Sequence, residues 1–204
     1  MTSDHSPERE VRTSLSHPLR IATLPIGVKG GAVGVTFAPG KRQAFAMTGV
    51  WERDIDHDLS AIRQWGASDL ITLLEPHEFI ELGIVDLPQH AATHGLRWHG
   101  LPITDGAAPD SRFLTPWREI LPTLLRNLEE GQRIVVHCKG GLGRAGTVAS
   151  MLLLSSGACL NAKSAIALVR GVRPGAIETL AQEEFIAHWI NAEDFSGHRP
   201  STSA

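Results

Sequence analysis

Between residues 20 and 195, short apolar runs alternate with stretches whose apolar positions recur every three or four residues. The two periods predict strands and helices in turn, because a strand sends successive side chains to opposite faces and a helix stacks positions three and four apart. Ile21–Val28 and Val33–Phe37 flank Lys29-Gly30-Gly31 and read as an opening hairpin. Asp54–Trp65 carries Ile55, Leu59, Ile62 and Trp65 at helical spacing, with Gly66 as its stop. Leu70–Leu74 reads as a buried strand. Pro76–Leu82 reads as a short helix, with Pro in its first turn and Gly83 beyond its end. A helix over Leu87–His94, a strand over Leu96–Leu101 and a turn-rich loop over Pro102–Asp110 follow. Arg112–Glu130 is helical in pattern, although Pro116 and Pro122 are expected to break or reset it. Arg133–His137 is the clearest strand, and helices are predicted over 145–156, 161–171 and 179–192. This alternation predicts the α/β class: a single domain whose central, mainly parallel sheet is flanked by helices.

The two ends break the pattern. Met1–Arg20 is polar and charged, contains Pro7 and Pro18, and lacks the apolar stretch of a signal peptide. It reads as a flexible tail, as does 196–204, which leaves residues 21–195 as the domain. Ala145–Asn161 carries no charge and includes Met151-Leu152-Leu153-Leu154. A spanning helix needs about 20 predominantly apolar residues. Ser150, Ser155, Ser156 and Gly157 interrupt this run, so it reads as a buried core helix ending at Gly157, and the protein is expected to be cytoplasmic.

Composition narrows the chemistry. The 204 residues are 42% hydrophobic and 20% charged, enough for a core that needs no disulfide or metal staple. The formal net charge of -3, from 19 basic and 22 acidic groups, provides no basic field for nucleic acid or anionic lipid. Two Cys exclude a disulfide framework and a four-cysteine zinc site, and leave one bridge or two free thiols. There are five Trp and six Phe but no Tyr.

The candidate chemistry lies where the clearest strand meets a helix, in His137-Cys138-Lys139-Gly140-Gly141-Leu142-Gly143-Arg144. Glycines in such a turn permit positive φ and let main-chain N–H groups face one centre. The helix N-terminus behind them adds partial positive charge and unpaired amides, which together make an anion site. Arg144 closes the loop with a fork that grips two phosphate oxygens. A cysteine at the entrance of such a field is favoured as the thiolate, the nucleophilic form. Lys139, Gly140, Gly141, Leu142, Gly143 and Arg144 are thus the expected phosphate-binding residues beneath the nucleophile Cys138. A Walker loop fits less well, since its Gly-Lys-Ser/Thr ending is missing.

His137 to Arg144 resembles the Cys-x5-Arg signature loop of the protein tyrosine and dual-specificity phosphatase superfamily. Asp54–Glu75, Leu101–Asp110 and Gly175–Phe185, in that order, are similar to the cyclin-dependent-kinase-inhibitor-3 family, also called kinase-associated phosphatases. The resemblance implies a phosphatase domain whose signature loop joins a central strand to a helix. It implies that Cys138 attacks phosphorus to form a phosphocysteine, that Arg144 binds phosphate, and that Asp105 is the general acid and base. Asp110 is the competing acid. The resemblance gives His137 an indirect role, orienting the loop, in preference to proton transfer. It makes Gln182 the residue that positions the hydrolytic water, and lets Arg173 steady the loop from behind. It implies no metal and no cofactor, and a phosphorylated protein as substrate.

Several departures bear on substrate and turnover. Many relatives have Ser or Thr directly after the signature Arg; here it is Ala145, with Thr147 as a possible substitute. Glu178 stands where the tyrosine-specific branch often has Gln. The absence of Tyr removes the usual ring clamp, which points to a shallower pocket taking phosphotyrosine and also phosphoserine or phosphothreonine. Lys139 also resembles a residue of phosphoinositide phosphatases, while Leu142 lacks the second loop lysine that favours inositol phosphates. The alternatives are therefore a non-protein phosphomonoesterase, a phospho-binding module with weak catalysis, and a sulfur transferase or arsenate reductase. Cys159 reads as a core residue, with a resolving thiol as the other possibility. His57, His77, His90, His94 and His99 have no ligand partners at metal spacing; His90 and His94 are four apart but lack the Glu of a zinc-protease helix.

Overall fold

In the computed structural model, which describes residues 10–46 and 49–193, the chain enters through β1 (Val11–Arg12). It forms one hairpin from β2 (Ala22–Ile26) and β3 (Gly31–Phe37), and a second from β4 (Arg42–Ala46) and β5 (Gly49–Glu52). Helices and strands then alternate: α1 (Ile55–Gln64), β6 (Ala67–Thr72), α2 (Pro76–Glu81), α3 (Leu87–Thr93), β7 (Arg97–Gly100), α4 (Ser111–Glu129) and β8 (Arg133–Cys138). Three helices close the described chain: α5 (Gly143–Ser155), α6 (Ala162–Val172) and α7 (Leu180–Glu193).

Five strands form the main sheet in the order β2-β3-β8-β6-β7. Only the β2–β3 hairpin is antiparallel; β3–β8, β8–β6 and β6–β7 are parallel, as the alternating pattern predicts. The central strand β8 has apolar residues on both faces, as a sheet covered on both sides requires. Ile134 and Val136 join the cluster built with α4, α5, α6 and α7, whereas Val135 joins the one built with α1 and α3. Because side chains alternate along a strand, Cys138 shares the α5 face with Ile134 and Val136, and His137 faces the other way.

Helix α5 is buried from Gly143 to Leu154, so its largely apolar sequence reflects cover on every side. Among the described residues, no helix is long and apolar enough to cross a membrane.

Four expectations need correction. Helix α4 runs unbroken through Pro116 and Pro122. Each proline forfeits one helical hydrogen bond, but Phe113, Trp117, Leu124 and Leu128 form one buried stripe, with the Phe113 and Trp117 rings stacked at 5.1 Å. Packing outweighs the local penalty. Strand β6 covers 67–72, not 70–74; past its end, Leu73 N still donates to the His137 carbonyl at 3.0 Å. Helix α5 begins at Gly143, so Arg144 lies in its first turn and not ahead of it. The segment expected as a tail through Arg20 is built into the domain from residue 10: β1 pairs in parallel with β5, and Ser14 is buried against Asp54. Residues 1–9 and the expected tail at 196–204 lie outside the described residues.

Candidate active site

Cys138 ends β8 with only 3% of its surface exposed. The following loop curls back over it, and Gly141 N–H donates to Cys138 Sγ at 3.2 Å. Gly141 has φ +68, and a Cβ there would lie 2.3 Å from the Thr36 carbonyl oxygen, so only glycine fits. Arg173 ties the outer side of the loop: its Nε donates to the Gly141 carbonyl at 2.9 Å and its Nη2 to the Gly140 carbonyl at 3.1 Å. Those carbonyls are thereby held away from the sulfur, the arrangement an anion cradle needs.

Arg144 lies under this loop, 1% exposed. Its fork meets Glu78 of α2 two-pronged, Nη1 to Oε2 at 2.6 Å and Nη2 to Oε1 at 2.9 Å. Nη1 also donates to the Ile103 carbonyl at 3.1 Å. Nε is buried and has no hydrogen-bond partner among the described residues. A buried charged donor left unpaired is costly, and an anion is the kind of group that satisfies it. Burial works to raise the Glu78 carboxyl, but the bonds from Arg144 and the Glu75 main chain outweigh it and hold the group below its usual range. Burial likewise works to lower Arg144, and the Glu78 carboxylate reverses that and raises it. Sequence reasoning missed Glu78. Its one signal was local: Glu75-Pro76-x-Glu78 is a capping box, and Glu78 Oε2 accepts from Glu75 N at 2.9 Å.

Of the two candidate acids, the structure brings Asp105 to the site. Its Oδ1 lies 2.9 Å from Arg144 Nη2, with 71% of the side chain exposed on the loop between β7 and α4. Asp110 instead caps α4, where its carboxylate accepts from Arg112 N at 2.9 Å and pairs with the Arg112 side chain.

The segment before α7 clasps both loops. Gln182 is fully buried; its Oε1 accepts from Glu178 N at 2.9 Å and its Nε2 donates to the Ala107 carbonyl at 3.2 Å. Thr179 Oγ1 donates to the Gly106 carbonyl at 3.1 Å. Ile177, a β-branched residue, is held at φ 60, a strained conformation at the foot of the clasp. Glu178 Oε2 accepts from Gly143 N at 2.8 Å, so a carboxylate occupies one amide of the anion loop. The sequence offered no sign of that contact.

The remaining candidates take other positions. His137 points to the far face, where its Nε2 lies 2.7 Å from Thr72 Oγ1. Trp98 Nε1 donates to the same hydroxyl at 2.9 Å. Complete burial pushes the His137 pKa down to about 3. Lys139 turns its side chain to Glu81 of α2 at 2.7 Å, leaving its main chain to the loop. Leu142 supplies the turn into α5. Thr147 Oγ1, the candidate substitute for the hydroxyl missing at Ala145, donates to the Gly143 carbonyl at 2.9 Å. Cys159 is a free thiol within the core cluster. His90 and His94 both turn to Asp56 Oδ1, at 2.8 and 2.9 Å.

Residues 45–186 match the family described as "PTP-SAK: Swiss Army Knife protein, DSP-PTPase phosphatase domain". Cyclin-dependent kinase inhibitor 3 of Rattus norvegicus is 28% identical over 188 residues, which covers 91% of this chain and 83% of the relative. A solved kinase associated phosphatase whose catalytic-site cysteine is replaced by serine superposes with a TM-score of 0.74 at 24% identity, covering 89% of this chain and 98% of that one. Tk-PTP in its active form superposes with a TM-score of 0.58 at 26% identity, covering 78% and 91%.

Proposed function

We propose, for a chain that belongs to the Swiss Army Knife family of DSP-PTPase phosphatase domains, how its own residues divide the work of a cysteine-dependent phosphatase. The thiolate of Cys138 attacks phosphorus, a P–S bond forms, and the P–O bond to the substrate breaks. Protonated Asp105 gives its proton to the departing oxygen. Water then attacks the phosphocysteine, Asp105 takes back a proton, and inorganic phosphate leaves with Cys138 restored. Arg144 Nε and the loop amides hold the equatorial oxygens, on which the transition-state charge is spread. The observation that carries this reading is the unpartnered Nε of a buried Arg144 beside Cys138, with Asp105 on the same guanidinium. Substrate phosphate entering at Nε completes the Arg144 donor set and leaves the exposed Asp105 free to turn to the leaving oxygen. His137 and Gln182 act by position: one holds the end of β8 through Thr72, the other sets the acid loop against the cradle.

The substrate is taken to be a phosphorylated protein in the cytoplasm, phosphotyrosine first and phosphoserine or phosphothreonine as well, since no Tyr is present to build a ring clamp. Slow breakdown of the phosphoenzyme accompanies this reading, because Ala145 lacks a hydroxyl and that of Thr147 donates to the Gly143 carbonyl.

The test is phosphate release from a small aryl phosphate in EDTA, comparing wild type, Cys138→Ser and Asp105→Asn. Cys138→Ser is expected to lose at least about 10³-fold in kcat, and Asp105→Asn about 10²-fold or more. A wild type silenced by EDTA, or a Cys138→Ser that still turns over, overturns the mechanism.

A further inference from the structure

Lys41 is a largely buried lysine whose ammonium meets no carboxylate among the described residues. It follows β3, whose last residue, Phe37, pairs in register with Cys138 and so shares its face of the sheet. The residue is only 5% exposed. Its Nζ lies over two aromatic faces, 4.9 Å from the Phe37 ring centre and 4.4 Å from that of Trp51. Among the described residues, no carboxylate pairs with Nζ and no acceptor takes a hydrogen bond from it. Arg53 lies over the same two rings but has Asp58 as a two-pronged partner. One cation of the pair is satisfied by the fold and the other is not.

Lys41 is also held in place. Gly40 has φ +71 with no room for a side chain, since a Cβ would lie 2.6 Å from that of Ile55. Gly40 N donates to Asp58 Oδ2 at 2.9 Å, Arg53 N donates to the Lys41 carbonyl at 3.2 Å, and Arg42 N donates to the Leu82 carbonyl at 2.8 Å. Ring faces offset only part of the cost of burying an ammonium. The charged groups around it are mostly of its own sign: Arg53, Arg173 and Lys139, with Arg12 over the Trp51 ring. The carboxylates nearby are already engaged, Asp58 by Arg53 and Gly40, and Glu81 by Lys139. Among the groups that act on Lys41 through their charge, Cys138 as a thiolate is the one of opposite sign.

We propose that Lys41 is a positioning residue of the phosphatase site, an ammonium held on two ring faces that favours the thiolate of Cys138 and the phosphoryl group it receives. The inference rests on Cys138 being the nucleophile. Burial first, and then Arg53, push the Lys41 pKa down to about 8. The ammonium is therefore present below about pH 8 and lost above it, taking its support for the anion with it.

The experiment reads Cys138 without substrate. Iodoacetamide alkylation of the full chain is followed across pH, with the modified cysteine identified by peptide mass. Wild type is compared with Lys41→Met, Lys41→Gln and Lys41→Arg, each first shown to be folded by its thermal transition. At about pH 6, Lys41→Met and Lys41→Gln are expected to react roughly three- to tenfold more slowly than wild type, and Lys41→Arg within about twofold of it. The fall in kcat/KM on the alkaline side near pH 8 is expected in wild type and absent from Lys41→Met. Fast wild-type alkylation left unchanged in both Lys41→Met and Lys41→Gln overturns the role of Lys41 alone. So does Lys41→Arg slowed as much as Lys41→Met, which would make the role one of packing. A wild-type Cys138 that reacts no faster than an ordinary thiol overturns the nucleophile itself, and this inference with it.

Discussion

Two arginines of this chain are buried against a carboxylate in almost the same way, and they differ in one atom. Arg53 binds Asp58 through Nε and Nη2, at 2.7 and 2.8 Å, and its Nη1 donates to the His17 and Thr13 carbonyls at 2.6 and 3.3 Å. Each of its nitrogens has a partner. Arg144 binds Glu78 through Nη1 and Nη2, and its buried Nε has none. A buried ion pair is by itself weak evidence of function, because desolvation offsets much of its attraction. Complete satisfaction marks Arg53 as structural, fastening the entry segment to α1. The unpartnered Nε of Arg144, on a guanidinium that Glu78 holds by its other two nitrogens, is what supports the proposal that this arginine binds phosphate.

The comparison breaks if the two arginines respond alike. Arg144→Met is expected to give the largest change, a loss of about 10³-fold or more in kcat/KM on an aryl phosphate. Arg53→Met is expected to leave kcat/KM of the folded protein within about tenfold while costing about 3–5 kcal/mol in denaturant unfolding, since Asp58 is left buried without its cation. An Arg53→Met protein that is stable but inactive would reverse the assignment. Glu178→Gln sharpens the picture from the other side. It removes a carboxylate from the Gly143 amide, so inorganic phosphate is expected to inhibit a few-fold more tightly; unchanged inhibition would show that this amide is not part of the cradle. A further effect concerns acid. His137 is neutral in the folded chain down to about pH 3, whereas an unfolded chain binds its proton near 6.5. Stability from this residue is complete above about 6.5 and falls as pH drops toward 3. His137→Gln is expected to flatten that part of the acid unfolding curve.

The legible features were those encoded within a few residues. Cys138, the glycines and Arg144 lie in one loop, and the strand before it and the helix after it have clear periods. Asp105 was preferred to Asp110 through the resemblance and its place after a strand, whereas its approach to Arg144 depends on the path of the chain after β7, which no local pattern encodes. Glu78 was invisible, since its pairing with Arg144 crosses 66 residues and its own neighbourhood explains it as a cap. The sheet of β1, β5 and β4 was missed because its strands are short and largely exposed, without the alternation that marks a half-buried strand. Lys41 looked like any lysine after a Pro-Gly turn; only the two rings under its ammonium set it apart.

Because α5 has no solvent face, the cradle cannot drift by small surface changes. A helix covered on all sides offers no position where a substitution would shift Cys138 or Arg144 without disturbing the whole core. The parts of the site that face solvent are its walls, the loop of Asp105 above all. The helix that carries the cradle is anchored in the interior, and the acid loop is left at the rim.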